Sequence, residues 1–242
     1  MTVKDTVPTN HKSRCDMLIG ILQAGQLDRG DVPFPEYDEL YPAMLEGHGL
    51  SFKAWKVLEG DFPDDVRDAD GWLISGSRHG AYEPLPWIPR LEEFIRDAFT
   101  ASVPVVGICF GHQIMAQALG GRVEKFEGGW SVGLTEYPIE GRTYALNAWH
   151  QDQVVKVPPG SEVVGSTDFC ENAALLYPGK GFSVQPHPEF ENDITGRLLD
   201  HRAEGVVEAD RIRHAREKLS LPHNNADMAS RIADFFKETV HG

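Results

Sequence analysis

Short apolar runs alternate along the first half of the chain with segments whose apolar residues recur every three or four positions. Met17 to Leu22 (MLIGIL) closes on Gln23, Ala24 and Gly25, which predicts a buried strand ending in a loop. Ser51 to Leu58 predicts a second strand, and Gly71 to Ile74 (GWLI) a third that closes on Ser75-Gly76-Ser77. Pro33, Pro35 and Pro42 lie between the first two, and Pro42 interrupts a helical spacing from Glu36 to Glu46. From Arg90 to Thr100, Leu91, Phe94, Ile95, Ala98 and Phe99 share one face, the mark of an amphipathic helix. Val103 to Ile108 (VPVVGI) predicts another buried strand, followed by a helix carrying Ile114, Met115, Ala118 and Leu119 that stops at Gly120-Gly121.

Strands alternating with helices imply βαβ units, hence an α/β fold with an open, mostly parallel sheet flanked by helices. Between Trp130 and Val184 the strands shorten and turns multiply, which predicts a small antiparallel insertion or sheet edge. Ile194 to Val240 reads as helices with Arg/Glu-rich faces. No repeat, low-complexity tract or linker divides the chain, so residues 16–242 are expected to form one catalytic domain behind a flexible arm, residues 1–15.

Composition narrows the partners. A chain of 242 residues with 41% hydrophobic content is long enough for one large core. Its net charge of −14, from 23 basic and 37 acidic residues, argues against nucleic acid or an anionic membrane surface as partner. The first fifteen residues hold no apolar run of secretory type, and no later stretch approaches the roughly eighteen apolar residues of a membrane span. Cys15, Cys109 and Cys170 show no paired spacing, which fits a reducing compartment and predicts a cytoplasmic protein.

In Gly107-Ile108-Cys109-Phe110-Gly111 a cysteine stands between glycines at a strand-to-helix junction, the arrangement that exposes the serine of G-x-S-x-G hydrolases. A side chain in so sharp a turn projects off the sheet, and the helix beginning at Phe110 turns its positive end on the sulfur, favouring thiolate. Alone, the flanking glycines leave a buried structural cysteine equally open. Gln185-Pro186-His187-Pro188-Glu189 adds a base and an orienting carboxylate two residues apart, on one side of an extended chain. A surface ion pair, or two ligands of a zinc-like metal, are the other readings, but no set of further His or Cys ligands accompanies them.

Together GICFGHQ (107–113) and QPHPEF (185–190) resemble the class I glutamine amidotransferases, with GWLISGSRHG, GICFGHQIMAQALGG, NAWHQDQV and QPHPEF in family order. GGWSVG and HQDQV look most like the stand-alone γ-glutamyl peptidase branch, which carries no fused synthetase. The resemblance implies a flavodoxin-like architecture and a Cys109, His187, Glu189 triad. It implies an oxyanion hole from backbone amides of Phe110 and the Gly76–Ser77 loop, where many relatives have S-G-G-P and this chain has Ser75-Gly76-Ser77-Arg78. That departure leaves the orientation of the Ser77 amide open. Gln113 matches the residue that holds the glutamate head group; His150 and Asp152 line the same face or cap a turn; Trp130, Ser131 and Arg78 are further substrate-binding candidates.

Three hypotheses follow: a cysteine-dependent hydrolase of γ-glutamyl amides, a glutaminase subunit that supplies ammonia to a separate synthetase partner, or a non-catalytic binding module on the same fold. The chain has no Walker-type segment for ATP, and neither a metal nor another cofactor is expected. The partner under the first reading is a small γ-glutamyl substrate. Its leaving group is expected to meet the loops Asp28 to Glu39 and Arg78 to Trp87. Oligomeric state has no signature in the sequence.

Overall fold

The apolar runs become strands β1 (Met17–Leu22), β3 (Gly71–Ile74) and β4 (Val105–Ile108) of one sheet, and β11 (Gly181–Val184), from the segment expected to be an antiparallel insertion or sheet edge, instead joins them parallel to β4. They are seen in a computed structural model that describes residues 17–27 and 32–241. With β2 (Leu50–Trp55) they run parallel in the order β2-β1-β3-β4-β11. Every residue of β3, β4 and β11 is buried, which is why β3 and β4 read as continuous apolar runs rather than as alternation. Alternate side chains feed two apolar clusters: Leu73, Val106 and Ile108 enter one, Trp72, Ile74 and Val105 the other.

The antiparallel part continues this same sheet. β10 (Ala174–Tyr177), β9 (Glu162–Gly165), β6 (Ser131–Ile139) and β7 (Arg142–His150) follow β11 in spatial order, giving nine strands. Only β5 (Arg122–Lys125) and β8 (Asp152–Lys156) form a separate small antiparallel sheet. Among the described residues, six helices flank the strands: α1 (Tyr37–Met44), α2 (Trp87–Thr100), α3 (Phe110–Ala118), α4 (Asn192–His201), α5 (Ala209–Glu217) and α6 (Asn225–His241).

Prolines account for most of the boundary differences from the sequence reading. α2 starts at Trp87 rather than Arg90, because Pro86 caps it at φ −59° and Pro89 falls in the first turn, where no backbone donor is required. β4 starts at Val105, since Pro104 has no N–H for the ladder and contributes only its carbonyl, which accepts Trp72 N at 2.8 Å. α1 forms despite Pro42, secured by a reciprocal capping box between Glu36 and Glu39. The second strand ends at Trp55 and gives way to a 3₁₀ turn over Val57–Glu59. The expected arm, residues 1–15, with Cys15, lies outside the described residues, as do residues 28–31 of the leaving-group loop.

Candidate active site

Three adjacent parallel strands deliver the candidate residues from their carboxyl ends, where ligand sites of open α/β sheets lie. β3 runs into Ser75–Ser77, β4 into Cys109 and β11 into Gln185–Phe190, and the pairs Ile74↔Gly107 and Ile108↔Val184 hold the three exits level.

Cys109 adopts φ 54° and ψ −104°, a conformation that a residue with a Cβ rarely takes. Its N–H donates to Val184 O at 2.9 Å and its carbonyl accepts Gln113 N at 3.1 Å, so strand and helix enforce the turn from both sides. The glycines of the motif are required by contact. A Cβ on Gly107 would lie 2.5 Å from the Gly111 carbonyl, and one on Gly111 would lie 2.3 Å from Ile74 O. The thiol donates to Trp149 O at 4.0 Å and faces a cleft of about 410 Å³.

His187 is buried, with its N–H on Asn147 O at 2.8 Å and its ring parallel to Phe190 at 4.1 Å. Its Nδ1 meets Glu189 Oε1 at 2.7 Å. The pair does not lie along an extended chain as expected: a turn closed by Phe190 N to His187 O at 3.2 Å brings the carboxylate round to the ring. Burial alone would push the imidazole pKa down. The Glu189 carboxylate, 2.7 Å from Nδ1, and the nearby Cys109 sulfur overcome burial and hold it up at about 10. A thiol, an imidazole and a carboxylate in this order can hold a thiolate–imidazolium pair and pass a proton to a leaving group.

The other candidates divide. Phe110 is the first residue of α3, so its N–H has no intrahelical acceptor. Ser77 lines the cleft, whereas Gly76 does not. Gln113 also lines the cleft, but its amide nitrogen is already directed to Asp152 O (2.9 Å) and Gln185 Oε1 (3.2 Å). Arg78, Trp130, His150 and Asp152 line the cleft as well. Ser131 does not. His150 is buried and pushed down to about 3 by desolvation. Burial raises Asp152 above the usual carboxylate range, against the nearby Tyr82 and Lys125. A smaller chamber of about 60 Å³ adjoins, lined by His187, Tyr37, Phe190 and Leu198, and it shares Ser77, Arg78, Trp149 and Arg202 with the cleft. Among the described residues, no three His, Cys, Asp or Glu side chains are grouped to hold a metal ion, and no helix is long and apolar enough to cross a membrane.

The family model of glutamine amidotransferase class-I matches residues 51–200. The chain belongs to that family. A glutamine amidotransferase-like protein of Schizosaccharomyces pombe is 31% identical over 78% of this chain and 82% of its own length. Gamma-glutamyl peptidase 3 of Arabidopsis thaliana is 28% identical over 68% of this chain and 72% of its own. A glutamine-hydrolysing GMP synthase of Azoarcus is 36% identical over 57% of this chain, which corresponds to 30% of the synthase. Among solved structures, a glutamine amidotransferase of Methylobacillus flagellatus superposes with a TM-score of 0.71 over 93% of this chain and 94% of its own, at 22% identity; that likeness shows the fold.

In this amidotransferase-family chain, the sequence reading passed over Tyr37, Tyr41 and Trp149 as site residues. Tyr41 falls in the helical segment that Pro42 obscures, and Trp149 contributes a backbone carbonyl, which carries no residue signature.

Proposed function

We propose that this chain is a cysteine-dependent hydrolase of γ-glutamyl amide bonds, acting on γ-glutamyl amines or peptides in a reducing compartment such as the cytoplasm. One observation carries the chemistry: a buried imidazole between the Glu189 carboxylate and the Cys109 sulfur, kept protonated against burial. The Cys109 thiolate adds to the γ-carbonyl, and the N–H groups of Phe110 and Ser77 receive the oxyanion. The Nε2 proton of His187 goes to the leaving nitrogen as the C–N bond breaks, leaving a γ-glutamyl thioester. His187 then takes a proton from water; the resulting hydroxide adds to the thioester, glutamate departs, and thiolate and imidazolium are restored. Glu189 orients the ring and stabilises its charge without reacting.

Similarity to gamma-glutamyl peptidases supports a γ-glutamyl compound as substrate. The second reading, a glutaminase subunit serving a separate synthetase, is favoured by the match to part of a GMP synthase. Steady-state kinetics on the purified chain, without ATP or metal and with Cys109→Ala as the blank, separate the two. We expect a γ-glutamyl amine or peptide to exceed free glutamine in kcat/KM. A preference for glutamine of about tenfold, or 1.4 kcal/mol in transition-state binding, moves the assignment to the ammonia-supplying subunit. No turnover of any γ-glutamyl compound removes both enzyme readings and leaves the binding module.

A further inference from the structure

Tyr37 belongs to none of the motifs, yet it stands beside the imidazole. It is the first residue of α1, where the Glu36–Glu39 capping box sets the helix start, and only 3% of it is exposed. Its ring is the middle of a column of near-parallel rings. It stacks on Tyr41 (5.6 Å, 16°) and on Phe190 (6.5 Å, 16°), and Phe190 stacks on His187 (4.1 Å, 1°). The column fixes where the hydroxyl lies. Tyr37 Oη and His187 Cε1 are 2.6 and 2.9 Å from one point, the place a Cβ on Gly76 would take, so hydroxyl and imidazole edge meet over that glycine.

Among the described residues, no hydrogen bond satisfies this hydroxyl. Burying a hydroxyl without a partner is unfavourable, so such a group marks a place for a ligand or an ordered water. Tyr37 lines the chamber of about 60 Å³ together with His187, Ser77 and Trp149, a space larger than the roughly 10–15 Å³ that one water needs.

Chamber and cleft divide the reaction between them. Cys109 and Gln113 line the cleft and His187 lines the chamber, with Ser77 and Trp149 common to both. A γ-glutamyl group on the sulfur therefore lies on the cleft side. The nitrogen that leaves it takes its proton on the chamber side, since Nδ1 is held by Glu189 at 2.7 Å and Nε2 is left for transfer. Water must enter the same place to reach the thioester.

We propose that Tyr37 holds the hydrolytic water: its hydroxyl accepts one O–H of that water while His187 Nε2 accepts the other, which leaves an oxygen lone pair directed at the thioester carbonyl. This rests on the reading of Cys109, His187 and Glu189 as a hydrolase. As the oxygen–carbon bond forms, the proton shared with Nε2 passes to the ring. The tetrahedral adduct then collapses with loss of the Cys109 thiolate and release of glutamate, and the Tyr37 proton does not move. A leaving amine is placed by the rest of its own molecule, whereas water has no such tether, so Tyr37 bears on deacylation rather than on acylation.

The test compares the full chain with Tyr37→Phe, which keeps the ring and the column, in the presence of hydroxylamine. Hydroxylamine attacks the thioester through a nitrogen that needs no prior deprotonation, so the ratio of γ-glutamyl hydroxamate to glutamate reads the attack of water and is independent of the acylation rate. The γ-glutamyl compound turned over fastest is the donor, with Cys109→Ala as the blank. The ratio should rise about tenfold or more, while kcat/KM, which reports acylation, stays within about threefold of the parent. Thermal unfolding is followed alongside, and the melting temperature should not fall, because the substitution removes a hydroxyl with no partner in the protein. A ratio within about threefold of the parent overturns the proposal, and so does a joint loss of kcat/KM and melting temperature, which would make Tyr37 a structural prop. A parent that forms neither hydroxamate nor glutamate from any γ-glutamyl compound fails earlier, at the hydrolase reading, and withdraws the proposal with it.

Discussion

His187-Pro188-Glu189 and His150-Gln151-Asp152 share a spacing, a buried histidine and a place on the walls around Cys109, yet their imidazoles are driven in opposite directions. Burial disfavours charge in both rings. At His187 the carboxylate two residues on is turned onto Nδ1 at 2.7 Å, and the ring is held up at about 10. At His150, Nδ1 meets only the Asp152 backbone oxygen at 3.3 Å, the carboxylate lies beside Tyr82, and the ring is pushed down to about 3. Proximity in sequence is therefore insufficient. A buried histidine stays charged only where the chain aims a carboxylate at it.

Removing each imidazole is the harshest test of that difference. His187→Ala should lower kcat/KM roughly 10³-fold, because proton transfer and the ion pair are both lost. His150→Asn, which removes a neutral group, should lower it by no more than about tenfold. Equal losses would erase the distinction. Glu189→Gln comes next, with a fall of roughly 10²-fold, less than Cys109→Ala gives, since the carboxylate orients but does not react. Its pH signature is directional. Without the carboxylate, burial is opposed only by the sulfur, so His187 loses its proton at lower pH. The alkaline limb of Cys109 alkylation, expected near pH 10 in the parent, should then move down. A limb that stays in place would mean that Glu189 is not what holds the charge.

The sequence made one of these segments legible and obscured the other, for physical reasons. Apolar runs located the β3 and β4 exits, and G-x-C-x-G located the elbow, because both follow from burial and steric contact between neighbours in the chain; β11, parallel to β4, was hidden in a segment read as antiparallel. The pairing of His187 with Glu189 was anticipated, although through extended chain, whereas a turn produces it. The role of His150 was left between substrate contact and turn cap, since its state depends on where β8 points the Asp152 side chain. Tyr41 was invisible for a further reason: its partner, Glu189, lies in a distant segment and meets it only when the sheet forms.

Stability should carry the same opposition with a smaller effect. His150 and His112, lowered by burial to about 3 and about 4, are neutral in the folded protein, while in the unfolded chain they protonate near pH 6.5. Their contribution is thus complete above pH 6.5 and is lost as pH falls toward 4 and 3. His187, raised, contributes fully below pH 6.5 and loses that contribution as pH rises toward 10. Each unit in which the two states differ by one proton changes stability by roughly 1.4 kcal/mol. Urea unfolding between pH 4 and 7 should show a shallower acid decline in His150→Asn than in the parent. An unchanged slope would mean that His150 is not held neutral by the fold.

The smallest expected effect decides what keeps the two segments different. Either the Tyr82 hydroxyl diverts the Asp152 carboxylate from His150, or the backbone aims it away whatever Tyr82 does. Asp152 is the first residue of β8, paired in register with Lys125 of β5, so the strand fixes the direction of its side chain. Glu189 sits in a turn and has no such constraint. Tyr82 is 48% exposed and lies beside Asp152 at the rim of the cleft, where water competes for both groups. Tyr82→Phe should accordingly leave kcat/KM within about threefold of the parent. Nitrogen-15 NMR of the His150 ring should still report a neutral imidazole at pH 6, because Nδ1 keeps its backbone contact and burial is unopposed. A His150 that gains a proton in this variant would show the released carboxylate reaching the ring, and would make Tyr82, rather than the β7–β8 corner, the source of the difference.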